Sequence, residues 1–143
     1  MSVDRCEREN NIMIFNVQED DKPNSDHLFF ESLSEALELE KCPEIKTARI
    51  GAKSMKHPRP VKACFTNLWE KRKFLSQLFK LKNHKNFSNI RIAHDMSQED
   101  RKENQILLKK AYTMNMENKP QGYKYKVRGP PWAMKIVKVY EKN

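Results

Sequence analysis

Apolar positions along the chain fall into short bursts whose period alternates between two and about three and a half. Asn11–Val17 (NIMIFNV) is an apolar run rich in β-formers, closed by the acidic, proline-containing loop Gln18–Asn24, and it predicts a first strand. Ser25 or Asp26 can cap a helix on which Phe29, Phe30, Leu33, Ala36 and Leu37 recur at spacings of three and four. Cys42-Pro43 stops that helix near Glu40, because the residue before a proline avoids helical angles. Lys46–Gly51 predicts a second strand, residues 51–60 a basic loop, and Val61–Phe65 an alternating third strand. Asn67 followed by Glu70 has capping-box spacing, which opens a second helix through Lys82 with Leu68, Leu75, Leu78 and Phe79 on one side. Ile90–Ala93 makes a fourth strand.

The order βαββαβ predicts an α+β fold of the ferredoxin-like (RRM-like) class, a four-stranded antiparallel sheet ordered four-one-three-two with two helices on one face. After it, Ser97 with Asp100 caps a third helix that runs to about Asn118 and is stopped by Pro120, with Leu107, Ala111 and Met114 along one stripe. Tyr123–Arg128 and Met134–Tyr140 alternate on either side of Gly129-Pro130-Pro131, as a hairpin does. The expected domains are a disordered tail over 1–9, the RRM-like domain over 10–96, and the helix plus hairpin over 97–143. No internal repeat and no sustained heptads occur.

Period two then says which side chains the uncovered sheet face presents. With Ile12 and Ile14 turned to the core, Met13 and Phe15 point outward. With Ala48 and Ile50 inward, Arg49 points outward. With Val61, Ala63 and Phe65 inward, Lys62 and Cys64 point outward, and with Ile90 and Ile92 inward so does Arg91. The result is a face on which Arg49, Lys62 and Arg91 flank the Phe15 ring. Single strands bind such faces by neutralising phosphates and stacking bases on aromatic or guanidinium planes. In the predicted hairpin, Tyr123, Tyr125 and Val127 share one face while Lys124, Lys126 and Arg128 share the other, so the segment can pack by its rings and present three cations. The same pattern also suits an edge strand guarded by lysines against aggregation.

Composition strengthens the polyanion reading through charge placement more than charge total. The 143 residues carry a net charge of +9. Residues 1–48 hold 5 basic and 12 acidic side chains, residues 49–96 hold 12 and 2, and residues 97–143 hold 11 and 5. A field segregated in this way attracts a polyanion to one side of a molecule and repels it from another. No stretch approaches the roughly 18 apolar residues of a membrane span, and the opening Met1-Ser2-Val3-Asp4-Arg5 lacks a signal-peptide core, so a membrane partner is not expected. Cys6, Cys42 and Cys64 are far apart and suggest neither a disulfide framework nor zinc. His27, His57, His84 and His94 lack metal-ligand spacing, and no nucleophile elbow, phosphate loop or paired-carboxylate motif occurs, so no enzyme, metal or cofactor is expected.

The succession NNIMIFNV (10–17), ARIG (48–51), RPVKACF (59–65), EKRKFL (70–75), IRIAHDMSQEDRKEN (90–104) and YKVRG (125–129) resembles the nucleic-acid-binding region of the first-open-reading-frame proteins of LINE-type, non-LTR retrotransposons. The resemblance runs from about Asn10 to the C-terminus. It implies an RNA-recognition-motif-like domain followed by a small C-terminal domain, binding single-stranded RNA or DNA with little sequence preference. It further implies a nucleic-acid chaperone in a ribonucleoprotein that is cytoplasmic or nuclear. The family's basic residues would carry over to Arg49, Arg59, Arg91, Arg101 and Arg128, with Asp95 and Ser97 in a structural strand-to-helix junction. Met13, Pro60 and Lys62 stand where ordinary RNA-recognition motifs carry stacking aromatics. Met96 and Gln98 replace the Leu and Pro commoner in the family's junction, and the coiled coil of many family members is missing. The expected binding residues are thus Phe15, Arg49, Arg59, Lys62, Arg91, Arg101, Lys124, Lys126 and Arg128. The alternative expectation is a ferredoxin-like protein-interaction module whose acidic first helix and basic remainder pair head to tail in self-association.

Overall fold

A computed structural model of the chain describes residues 8–118 and 122–141. The expected tail over 1–9 lies outside these residues apart from Arg8 and Glu9, as does the expected helix stop at Pro120. The chain divides into two compact units, one from Glu9 to Asp95 and one that takes the chain from Met96 onward.

The first unit is a mixed α+β structure with the elements β1 (Asn11–Phe15), α1 (Ser25–Ala36), β2 (Ile45–Arg49), β3 (Val61–Phe65), α2 (Leu68–Ser76) and β4 (Arg91–His94). Its sheet is antiparallel throughout and ordered β2-β3-β1-β4, the expected order. Alternation decides the faces. Ile12 and Ile14 pair with Ala63 and Val61 across β1 and β3, and all four are at most 3% exposed. Phe30, Leu33 and Leu37 from the α1 region and Phe74 from α2 close over them. The Phe30 ring stacks on Phe74 at 5.1 Å and meets Phe65 edge-on at 5.9 Å, an arrangement that adds ring electrostatics to area burial.

Three local expectations are corrected. β2 begins at Ile45, and its pairing Ile45↔Phe65, Thr47↔Ala63, Arg49↔Val61 puts Arg49 on the core face and Ala48 on the other. The phase inverts because Ile45 takes the core slot opposite Phe65, and a strand reading IKTAR offers no stronger alternation to resist it. Secondly, α1 starts from Asn24 in a left-handed conformation with no side-chain cap, while the Ser25 hydroxyl donates to the Asp20 carbonyl at 3.4 Å. It ends at Ala36, since Glu38 takes a φ of 59°. Thirdly, α2 ends at Ser76 and a 3-10 turn over Leu78–Leu81 follows. There the Gln77 amide bonds three residues back to the Phe74 carbonyl at 3.1 Å, which tightens the chain and breaks the helical phase. Phe79 is therefore 70% exposed rather than part of an apolar side. The Asn67 cap holds as expected, its side chain accepting from the Glu70 amide at 2.9 Å.

Polar groups are buried at one end of this unit. Lys71 is 2% exposed, and its ammonium donates to the Glu9 carbonyl at 2.7 Å. Burial pulls its pKa down to about 8, against the opposing pull of Asp95. The Asn11 amide donates to the Asp95 carboxylate at 3.0 Å. His94, opposite Ile12 in the ladder, is pushed down to about 4 by burial and by the Lys71 charge.

The second unit holds α3 (Gln98–Glu117) and an antiparallel pair, β5 (Tyr123–Arg128) and β6 (Lys135–Tyr140). Ser97 caps α3, its hydroxyl accepting from the Asp100 amide at 3.1 Å. Asn115 joins helix to hairpin. Its amide group accepts from the Tyr125 N–H at 2.7 Å and donates to the Tyr125 carbonyl at 2.9 Å, so one side chain does for β5 what a neighbouring strand would. Gly129, at φ 109°, lies against the Ala133 carbonyl, where a Cβ would collide.

Candidate functional site

The register fixes a grid of side chains on the sheet face that neither α1 nor α2 covers. Phe15 is paired with Arg91, and Met13 lies between Ala93 and Lys62. Beyond them, Lys62 is opposite Ala48 and Cys64 opposite Lys46. The Arg91 guanidinium lies over the Phe15 ring at 4.0 Å from its centre. A guanidinium at that height is attracted to the ring face. Arg91, Lys62 and Lys46 form no ion pair with a carboxylate among the described residues. Of the acids near this face, Asp95 is 7% exposed and engaged by Asn11, while Glu44 lines one cleft together with Lys46 and Cys64.

Two of the expected binding residues are spent within the fold. Arg49 has a side chain only 9% exposed. Its guanidinium reaches Asp26 through both carboxylate oxygens, at 3.0 and 2.6 Å, and donates to the carbonyls of Val17, Arg59 and Gln18. That is a buried cross-link between β2, α1 and two loops, so the expected outward position of Arg49 is corrected. Arg59 bonds Glu19 at 2.9 and 2.7 Å, and its own N–H adds a third contact at 3.3 Å. The Arg59 hydrogen bond in turn holds the Glu19 carboxyl below its usual pKa. Both partners come from the acidic stretch Glu19–Asp26, and that run facing a basic loop is the signal in the sequence that pairs them.

In the second unit Arg101, Lys126 and Arg128 are exposed, and Lys124 is exposed with Glu141 at 3.5 Å. Lys124, Lys126 and Arg128 share a face, as expected from period two. The tyrosine face differs from a packed one. Tyr123 meets Tyr125 edge-on at 5.6 Å and Tyr140 at 5.7 Å, Lys138 stands 4.8 Å over the Tyr123 ring, and Tyr140 is 71% exposed. Lys46 and Lys138 are the cations that sequence reasoning missed. Lys46 follows from the corrected phase of β2, and Lys138 follows from the hairpin register, which pairs it with Tyr125.

The structure therefore brings Phe15, Arg91 and Lys62 together on one sheet and Lys124, Lys126 and Arg128 together on one hairpin, and it withdraws Arg49 and Arg59 into ion pairs. The first surface can stack a planar group and neutralise anions beside it, and the second can neutralise anions. Among the described residues no cluster of His, Cys, Asp and Glu could hold a metal ion, and no helix is long and apolar enough to cross a membrane. Compared with the models of known protein families and with curated proteins, the sequence matches none.

Proposed function

We propose that this chain binds single-stranded nucleic acid with little sequence preference, through a ferredoxin-like, RNA-recognition-motif-like domain and the hairpin that follows it. The observation that carries the reading is the Arg91 guanidinium over Phe15, at 4.0 Å, on a sheet face that also carries Lys62 and Lys46. Bases stack on such a pair whatever their identity, at about 1–3 kcal/mol each, while the lysines neutralise phosphates. Met13 and Lys62, in place of further aromatics, leave the face without a second stacking platform, which suits indifference to sequence. With the resemblance to retrotransposon first-open-reading-frame proteins, the role is that of a nucleic-acid chaperone in a ribonucleoprotein.

Filter binding to homopolymer RNA at several salt concentrations tests this. Engaging Arg91, Lys62, Lys46, Lys126 and Arg128 gives a log-log salt slope of about −3.5, at roughly −0.7 for each phosphate on a single strand. A slope near zero would remove the proposal.

A second reading is a protein-interaction module, and the exposed Leu108, Tyr112 and Met116, four residues apart along α3, favour it. Sedimentation of the chain alone separates the two: concentration-dependent self-association abolished by Tyr112→Glu, without strand binding, is the outcome of this second reading.

A further inference from the structure

Beyond the sheet face, the first unit has a cleft of ≈ 530 Å³ between the β1–α1 loop and the loop before β4. It lies at the same end of β1 and β4 as the Phe15–Arg91 pair, on the α1 side of the sheet, with Asn16 and Ile90 lining it beside Leu28, Phe29 and Ser32 of α1. Its volume is that of a small-ligand pocket. Leu28, Phe29 and Ile90 supply an apolar surface, and Phe29 is held by an edge-on contact with Phe87 at 5.7 Å.

The polar lining has a particular chemistry. Asn16, at a left-handed φ of 72°, donates its side-chain amide to the Asn89 carbonyl at 2.8 Å and ties the two loops together. That bond leaves the Asn16 side-chain oxygen as an acceptor. Among the described residues, the side-chain amides of Gln18, Asn86 and Asn89 have no hydrogen-bond partner, so each offers a donor and an acceptor side by side. Charges are balanced, with one lysine, Lys85, and one acid, Asp20, among the lining residues. A cleft of this kind does not favour a bare phosphate, which requires an excess of donors and positive charge. It fits a neutral, planar group that is apolar on its faces and carries donors and acceptors around its rim.

We infer that this cleft is a nucleobase pocket, in which a strand crossing the Phe15–Arg91 pair turns one base off the sheet and has its edge read by Asn86, Asn89 and Gln18. The inference rests on the single-strand reading and adds a place of discrimination to a surface that otherwise has none. Amide side chains suit the task because their paired donor and acceptor match the donor and acceptor patterns on unpaired base edges.

The test uses the full chain and fluorescent 12-nucleotide homopolymers of RNA and of DNA. The unsubstituted protein should discriminate between its best and worst homopolymer by about tenfold, the low end of what a bidentate base contact gives. Asn86→Ala with Asn89→Ala should level that difference, leaving the salt slope and the affinity for an abasic strand unchanged. The loop brace survives in this variant because Asn89 contributes its backbone carbonyl. Strand binding with an intact salt slope but equal affinity for all bases, or discrimination that persists in the variant, would overturn the pocket while leaving the single-strand reading in place. No strand binding at all would overturn both. In a second measurement, free nucleosides at millimolar concentration should shift the side-chain NH₂ resonances of Asn86 and Asn89. Shifts caused by an unstructured peptide and not by nucleosides would assign the cleft to peptide docking and overturn the inference.

Discussion

The two units are built on different terms. The unit from Glu9 to Asp95 buries eleven hydrophobic side chains in one cluster, including three phenylalanines in mutual ring contact. In the unit from Met96 onward, Ala111 is the one buried hydrophobic among the described residues, and α3 and the hairpin are joined through the Asn115 side chain. A two-stranded sheet is marginal in water without something to pack on. The contrast teaches that the first unit carries its own stability and can leave a sheet face free for binding. The second exposes most of what it has, and its order depends on a few directional bonds.

The largest effect on the first unit is expected of Phe74→Ala. Phe74 is 0% exposed between Phe30 and Phe65, and truncating it should cost about 3–5 kcal/mol, read as a lower denaturant midpoint of the first unit. A loss under about 1 kcal/mol would mean that the ring cluster is not the centre of the core.

Asp26→Ala comes next. It leaves the Arg49 guanidinium with carbonyl partners only, in a site 9% exposed, and a buried charge that loses its partner costs about 3 kcal/mol. Strand affinity measured well below the unfolding temperature should stay as it was. A fall in affinity with no change in stability would return Arg49 to the binding surface.

Phe15→Ala should weaken strand binding by about 1–3 kcal/mol while moving the unfolding midpoint little, because the half-buried ring lies on the open face beneath Arg91 and outside the buried cluster. Unfolding at much lower temperature with unchanged affinity would show the ring to be packing instead.

The stability of the first unit also depends on pH. His94 titrates near 4 when folded and near 6.5 when unfolded, so between those values the unfolded chain binds the extra proton. Its contribution is therefore present above about pH 6.5 and is lost as pH falls through about 4. With allowance for its partial exposure the loss is about 2 kcal/mol. Urea midpoints at pH 7 and pH 4.5 should differ more in the natural chain than in His94→Gln. For Lys71 the sign leads to a rise in stability from about pH 8 toward 10.5, because the folded state gives up its proton first. The smallest effect is expected of Asn115→Ala. It should cost about 1 kcal/mol and act locally, accelerating hydrogen exchange at the Tyr125 amide but not in β1 or β3. Equal acceleration throughout would mean that the two units unfold together.

Much of this architecture is legible in the sequence. NIMIF and VKACF alternate strongly, with large apolar residues on one side only, so a shift of one residue would expose the whole core set. The caps at Asn67 and Ser97 are equally local, since cap and capped amide lie three residues apart. IKTAR carries no such preference, and its phase was decided by Phe65 across the sheet, which requires Ile45 opposite it.

Long-range pairing settles the rest, through that phase and through distances along the chain. Arg49 finds Asp26 across 23 residues, and Arg59 finds Glu19 across 40, so two residues that composition counts as free cations are neutralised by an acidic loop brought to them through folding. Which strands exist, how β1, β3 and β4 alternate, and the concentration of positive charge after residue 48 can all be read locally, because each depends on neighbours within a few positions. Which of those charges remain free cannot be read in that way, because a side chain's partner is set by sheet register and loop closure, which no local period encodes.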